Sequence, residues 1–70
     1  MTQNERVLKY IEDYGSITQG EAINELGCMR LASRISDLKK AGYPIEREMI
    51  PVINRYDETV HIARYSLRGE

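Results

Sequence analysis

The chain is 70 residues long, 30% of them charged and 41% hydrophobic, with a formal net charge of -1. That length suits one small domain, expected over residues 1–70, and a domain this size buries only about 60% of its unfolded surface, so its core must be compact. With no apolar run long enough to span a membrane and no visible secretory signal, the expectation is a soluble cytoplasmic protein without a membrane partner. The near-neutral charge also argues against a protein that coats nucleic acid non-specifically through phosphate neutralisation.

Thr2 and Glu5 have the spacing of a capping box, and Val7, Leu8 and Ile11 form an apolar stripe with Tyr10 and Tyr14 beside it. This predicts a first helix from about Gln3 to Tyr14, ended by Gly15. Ser16 and Ile17 read as extended, and Ile17 sits where a hydrophobic residue staples the next helix from outside its cap. The tyrosines read as rim residues of the core with wet hydroxyls.

Thr18 and Glu21 make a second capping box, which starts another helix near Gln19. Ala22, Ile23 and Leu26 give it an apolar face, and Gly27 ends it. After a turn of a few residues a third helix is expected from Met29 to Ala41, over 29–41, with Leu31, Ile35 and Leu38 inward and Gly42 beyond its end. Together the three helices predict a core of Leu8, Ile11, Ile23, Leu26, Leu31, Ile35 and Leu38. A helical wheel places Met29, Arg30, Ser33, Ser36, Asp37 and Lys40 on the outer face of the third helix, with Arg34 on its flank.

Two short capped helices joined by a tight turn, with arginines on the exposed face of the second, have the form of a helix-turn-helix DNA reader. In such proteins the second helix lies in the major groove and its N-terminal part touches base edges, where arginine pairs bidentately with guanine. Arg30, Ser33 and Arg34 are best placed for that contact, with Ser36, Asp37 and Lys40 farther along the same surface. The alternative is the ordinary solvated exterior of a bundle helix, and for Arg34 an ion pair with an acidic residue of another helix.

Past Gly42 the pattern becomes extended. Ile45 to Ile53 and Val60 to Leu67 are rich in β-branched residues, and the polar stretch from Asn54 to Thr59 reads as the turn of a β-hairpin. Pro51 cannot donate to a ladder and belongs at an edge or bulge. Alternation places His61, Ala63, Tyr65 and Leu67 on one face of the second strand, where Ala63, Tyr65 and Leu67 are expected to cover the helices with Ile45 opposite. Glu46 and Glu48 read as solubilising charge on an edge strand.

Charge is unevenly spread. The segment from Cys28 to Tyr43 carries Arg30, Arg34, Lys39 and Lys40 against Asp37 alone, while the first two helices are acidic. This polarity would turn the third helix toward a duplex and the others away. Enzymatic readings fail on inventory: His61 is the only histidine, Cys28 the only cysteine, and no phosphate-binding glycine loop is present. No cofactor or metal is expected. Cys28 reads as a small residue tucked into the turn, and His61 as a partly buried strand residue.

Three helices followed by a hairpin, with a short extended piece between the first two, predict an α+β winged helix-turn-helix fold. The strings GSIT, EAINELG, RLASRISDLKKAGYPI and ARYSL resemble the small helix-turn-helix proteins of bacteriophages and mobile elements, over most of the chain. The resemblance implies a DNA-binding winged helix, acting as a transcriptional regulator or an excision and architectural factor. The partner is then double-stranded DNA, bound by a homodimer or a cooperative assembly. The alternative is a protein-binding winged helix that inhibits or recruits a host protein. Asp57 and Glu58 at the expected wing tip depart from the basic tip of DNA-binding wings. Arg55 and Arg64 are therefore expected to meet phosphate from the sides of the hairpin, with the tip turned away from DNA or toward a neighbouring protein.

Overall fold

In a computed structural model, which describes residues 1–68, the elements follow the order α1 (Gln3–Tyr14), β1 (Ile17–Thr18), α2 (Gln19–Glu21), α3 (Leu31–Lys40), β2 (Ile45–Ile53) and β3 (Thr59–Leu67). Both capping boxes form. Thr2 Oγ1 accepts from Glu5 N at 3.1 Å while Thr2 N donates to Glu5 Oε1 at 2.8 Å, and Thr18 and Glu21 repeat the exchange at 3.3 and 2.9 Å. Each box settles two amide donors that a helix start would leave open, stabilising it by about 1 kcal/mol. Gly15 ends α1 at φ 90°, a left-handed conformation in which any other residue would be strained.

The second helix departs from expectation. After one α turn it widens into a π-helical segment, Ala22–Leu26, which Gly27 ends at φ 66°. A π turn advances roughly 80° per residue instead of roughly 100°. Leu26 consequently stays near Ala22 on the inner side, whereas Ile23 swings out of the stripe. Ala22 is buried, Leu26 is half-buried and Ile23 is 40% exposed, so Ile23 is not a core residue.

Val7, Ile11, Ile17, Ala22, Cys28, Leu31, Ile35, Leu38 and Ile45 form the buried core, with Leu8, Tyr10, Leu26, Tyr65 and Leu67 packed around it. Val7 rather than Leu8 occupies the centre of α1, because Val7 and Ile11 lie one turn apart on the same line while Leu8 falls to its side. Cys28 lies buried in the turn, as expected of a small residue there.

The strands form an antiparallel sheet in the order β1-β3-β2. β2 and β3 pair along their full length, from Ile45 opposite Leu67 to Ile53 opposite Thr59. Thr59 therefore belongs to the strand and not to the turn. β1 is short but pairs Ile17 with Tyr65 and Thr18 with Arg64, tying the extended piece after α1 to the base of the hairpin. Pro51 lies on the edge strand β2, as its missing amide demands. Residues 45, 47, 49, 51 and 53 share the helix-facing side with 67, 65, 63, 61 and 59, and the even-numbered residues face outward. Only the base of that inner side meets the core, through Ile45, Tyr65 and Leu67. Ala63 is half-buried, and His61, farther out, is exposed rather than partly buried.

Candidate nucleic-acid interface

The helix expected over 29–41 is helical over Leu31–Lys40. Met29 and Arg30 precede it, because Arg30 at the N-cap has φ -127° and ψ 60° and offers no side-chain hydrogen bond to the first turn. The missing cap comes from α2. Gln19 Oε1 accepts from Leu31 N at 3.1 Å, and its Nε2 donates to Cys28 O at 2.9 Å. One amide thus satisfies an open donor at the start of α3 and an acceptor in the turn before it, and fixes the two helices of the motif relative to each other.

From that anchored start α3 presents a polar surface. Arg30, Ser36, Lys39 and Lys40 are exposed and Ser33 is half-buried. Lys39 and Lys40 also lie in the last turn, where cations complement the helix dipole. Arg34 and Asp37 pair with each other, Nη2 to Oδ2 at 3.3 Å, with side chains 36% and 42% exposed. The partner of Arg34 is thus on its own helix. Arg34 also borders a hollow of about 340 Å³ with Gln3, Cys28 and Arg30, and its Nε is buried without a hydrogen bond among the described residues.

An open hollow of about 360 Å³ separates α3 from the sheet, bordered by Ala32, Ile35, Ser36, Lys39, Arg47 and Tyr65. It brings two cations together from different elements. Lys39 belongs to the basic segment that the sequence turns toward a duplex, whereas Arg47 does not stand among the candidate contacts read from the sequence. Strand parity supplies the signal for Arg47, because it is the one charged residue of β2 that shares the inner side with Ile45.

The two hairpin arginines do not join this group. Arg64 lies on the outer side, hydrogen-bonded to Glu48 across the strands, and borders a second hollow with Tyr14, Glu46 and Ser66, which Arg47 borders as well. Arg55 is exposed in the turn between the strands. That turn is organised by Asn54, whose Oδ1 accepts from Tyr56 N at 2.9 Å and Glu58 N at 3.1 Å while its Nδ2 donates to Glu58 Oε1 at 3.2 Å. Asp57 occupies the left-handed region at φ 61°. Burial raises the Tyr10 phenol above its usual range, and the nearby charges of Glu21 and Glu25 add to the shift.

The three-helix unit thus carries a paired hairpin, with its second motif helix seated by a glutamine and with Arg30, Lys39 and Lys40 exposed on that helix beside Arg47 of the adjoining strand. A family model described as a winged helix-turn-helix domain matches residues 2–70. The chain belongs to the winged helix-turn-helix family. No curated protein and no solved structure matches it. Family membership supports DNA as the partner of this winged helix and gives the hairpin its name, the wing. Among the described residues no helix is long and apolar enough to cross a membrane.

Proposed function

We propose that this winged helix reads double-stranded DNA by laying α3 in the major groove. The observation that carries the reading is the convergence of Ser36, Lys39 and Arg47 on the hollow between α3 and the wing, continuous with the exposed side of α3. Arg30 and Ser33 then address base edges at the N-terminal end, Ser36 and Lys40 the adjoining positions, and Lys39 and Arg47 a phosphate of the strand running past the helix. Arg34 and Asp37 contribute as a pair, whose ion pair opens if Arg34 turns to a guanine. Arg55 and Arg64 are peripheral in this arrangement, reaching a flanking phosphate only where the duplex bends toward the wing. The likeness to phage and mobile-element proteins supports a role as a transcriptional regulator or excision factor.

Duplexes selected from a random pool, with binding followed by fluorescence anisotropy over a salt series, test the reading. Arg30→Ala should weaken the selected site by about 1 to 3 kcal/mol with little effect on random duplex. Arg47→Ala should weaken both and flatten the slope of log affinity against log salt by about 0.9, one phosphate contact. Selection that enriches no sequence, with neither variant altering binding, would refute the proposal. The acidic wing tip favours the second reading, a winged helix that inhibits or recruits a host protein; that reading gains if a stable protein partner co-purifies while no duplex is preferred.

A further inference from the structure

We infer that the outer side of the wing is a self-association surface, which pairs two copies of the chain with their hairpins stacked face to face in opposite directions. Among the described residues, no third strand and no helix lies over the outer side of β2 and β3 beyond the base of the sheet. Ile50, Val52, Val60 and Ile62 stand there as an uninterrupted apolar square, formed by the directly opposed pairs Ile50 with Ile62 and Val52 with Val60. Val60 and Ile62 are exposed, and a two-stranded ribbon with an uncovered apolar side is marginal by itself.

The ends of the hairpin say what covers it. On one side of the square lies the tip, with Tyr56 74% exposed and the anions Asp57 and Glu58. At a similar distance on the other side lies an open hollow of about 710 Å³, bordered by Tyr14, Glu46, Glu48, Arg64 and Ser66. Arg68, paired with Glu46 at 3.6 Å, stands just beyond. The tip and the hollow are each centred about four residues from the centre of the square, or roughly 13 Å along a strand. A two-fold axis through the square and across the strands lays the square on itself. The same operation brings the tip of each copy over the hollow of the other, Tyr56 into the cavity and Asp57 and Glu58 toward Arg64 and Arg68.

Charge selects this orientation. Hairpins stacked in the same direction would set both acidic tips against each other, whereas the opposed arrangement separates them and lets Asp57 and Glu58 share Arg64 and Arg68 with Glu48 and Glu46, while Arg55 of the tip faces those glutamates. Two strands of nine residues offer a footprint of about 450 Å² per copy, or roughly 900 Å² for the pair, which falls at the weak end of specific interfaces. Association should therefore appear at concentrations on the order of 100 micromolar and strengthen when DNA holds two copies side by side. α3 lies on the opposite side of the sheet and remains free.

Sedimentation equilibrium without DNA tests the inference independently of any DNA reading. The wild-type mass should rise toward twice the monomer with concentration, and Val60→Lys with Ile62→Lys should hold it at the monomer while circular dichroism stays native. Tyr56→Ala should raise the dissociation constant about tenfold. A wild type that remains monomeric near millimolar concentration would overturn the inference, as would a double lysine variant that associates like the wild type. Loss caused by the lysines but not by Tyr56→Ala would overturn the opposed stacking. On a duplex carrying two sites, the lysine variant should bind each site singly while losing cooperativity.

Discussion

Replacing Gln19 by Met removes both hydrogen bonds that seat α3 while keeping the length of the side chain. An intramolecular hydrogen bond contributes about 0.5 to 1.5 kcal/mol net, and a polar group left buried without a partner costs about 1 to 3 kcal/mol. Leu31 is fully buried and Cys28 nearly so, which limits the access of water to Leu31 N and Cys28 O. Helix-capping contacts of this kind are worth about 1 kcal/mol each, and two orphaned groups bring the expected loss to about 2 kcal/mol. A domain of this length has about 4 to 10 kcal/mol in total, so the midpoint of urea unfolding should fall visibly and the melting temperature by roughly 8 to 16 °C. Gln19→Glu keeps the acceptor for Leu31 N and adds negative charge near the start of α3, but loses the donor to Cys28 O, so its loss should be smaller. Urea titrations of the three proteins followed by far-UV circular dichroism provide the measurement. A loss below about 0.5 kcal/mol for Gln19→Met, with an unchanged slope, would refute the view that this side chain holds the two helices together.

Three further outcomes are expected. Hydrogen bonds from Thr2, first through its backbone, hold the Glu5 carboxyl below its ordinary value, so the associated stability is present above the unfolded pKa and is lost as pH falls through the lowered folded value. The stability gap between wild type and Glu5→Gln, which lacks the titrating carboxyl, should accordingly narrow in acid titrations below about pH 4. Asp57→Gly should raise the melting temperature, because glycine adopts φ 61° without the strain of a side chain, a gain of up to about 1 kcal/mol. An unchanged or lower melting temperature would mean that the aspartate side chain contributes more than its backbone costs. Glu58→Lys should loosen the wing tip, seen as faster amide exchange at Tyr56, since Glu58 Oε1 accepts from Asn54 Nδ2.

Much of the scaffold was legible because its signals are local. Two Thr-x-x-Glu boxes, the glycines after α1 and the second helix, and the change from helical to alternating pattern after Gly42 placed every element to within about two residues. What escaped depends on tertiary or unusual backbone geometry. The π widening at Ala22 has no sequence signature at this level, and it moved Ile23 outward. Helical periodicity assumed that α3 would begin where its polar face begins, yet the cap that decides its start comes from Gln19, twelve residues before Leu31. The exposed face of α3 was legible as a candidate surface. Arg47 joins it only through the fold, because the pairing of the wing brings that strand beside Lys39.

The two-residue strand β1 has a consequence for how the chain reaches this state. Most pairings here are made between near neighbours in sequence: each helix closes on itself and the wing zips from its own turn. Ile17 with Tyr65 is different, because joining them closes a loop of nearly 50 residues, whose entropy must be lost before the bond returns anything. Ile17 is fully buried at that junction. The helices and the wing can therefore each acquire much of their own structure early, while the step that welds them waits on the shortest element of the sheet. Folding speed should be unusually sensitive to residues 17 and 65, and a substitution there would act on the barrier as much as on the final stability.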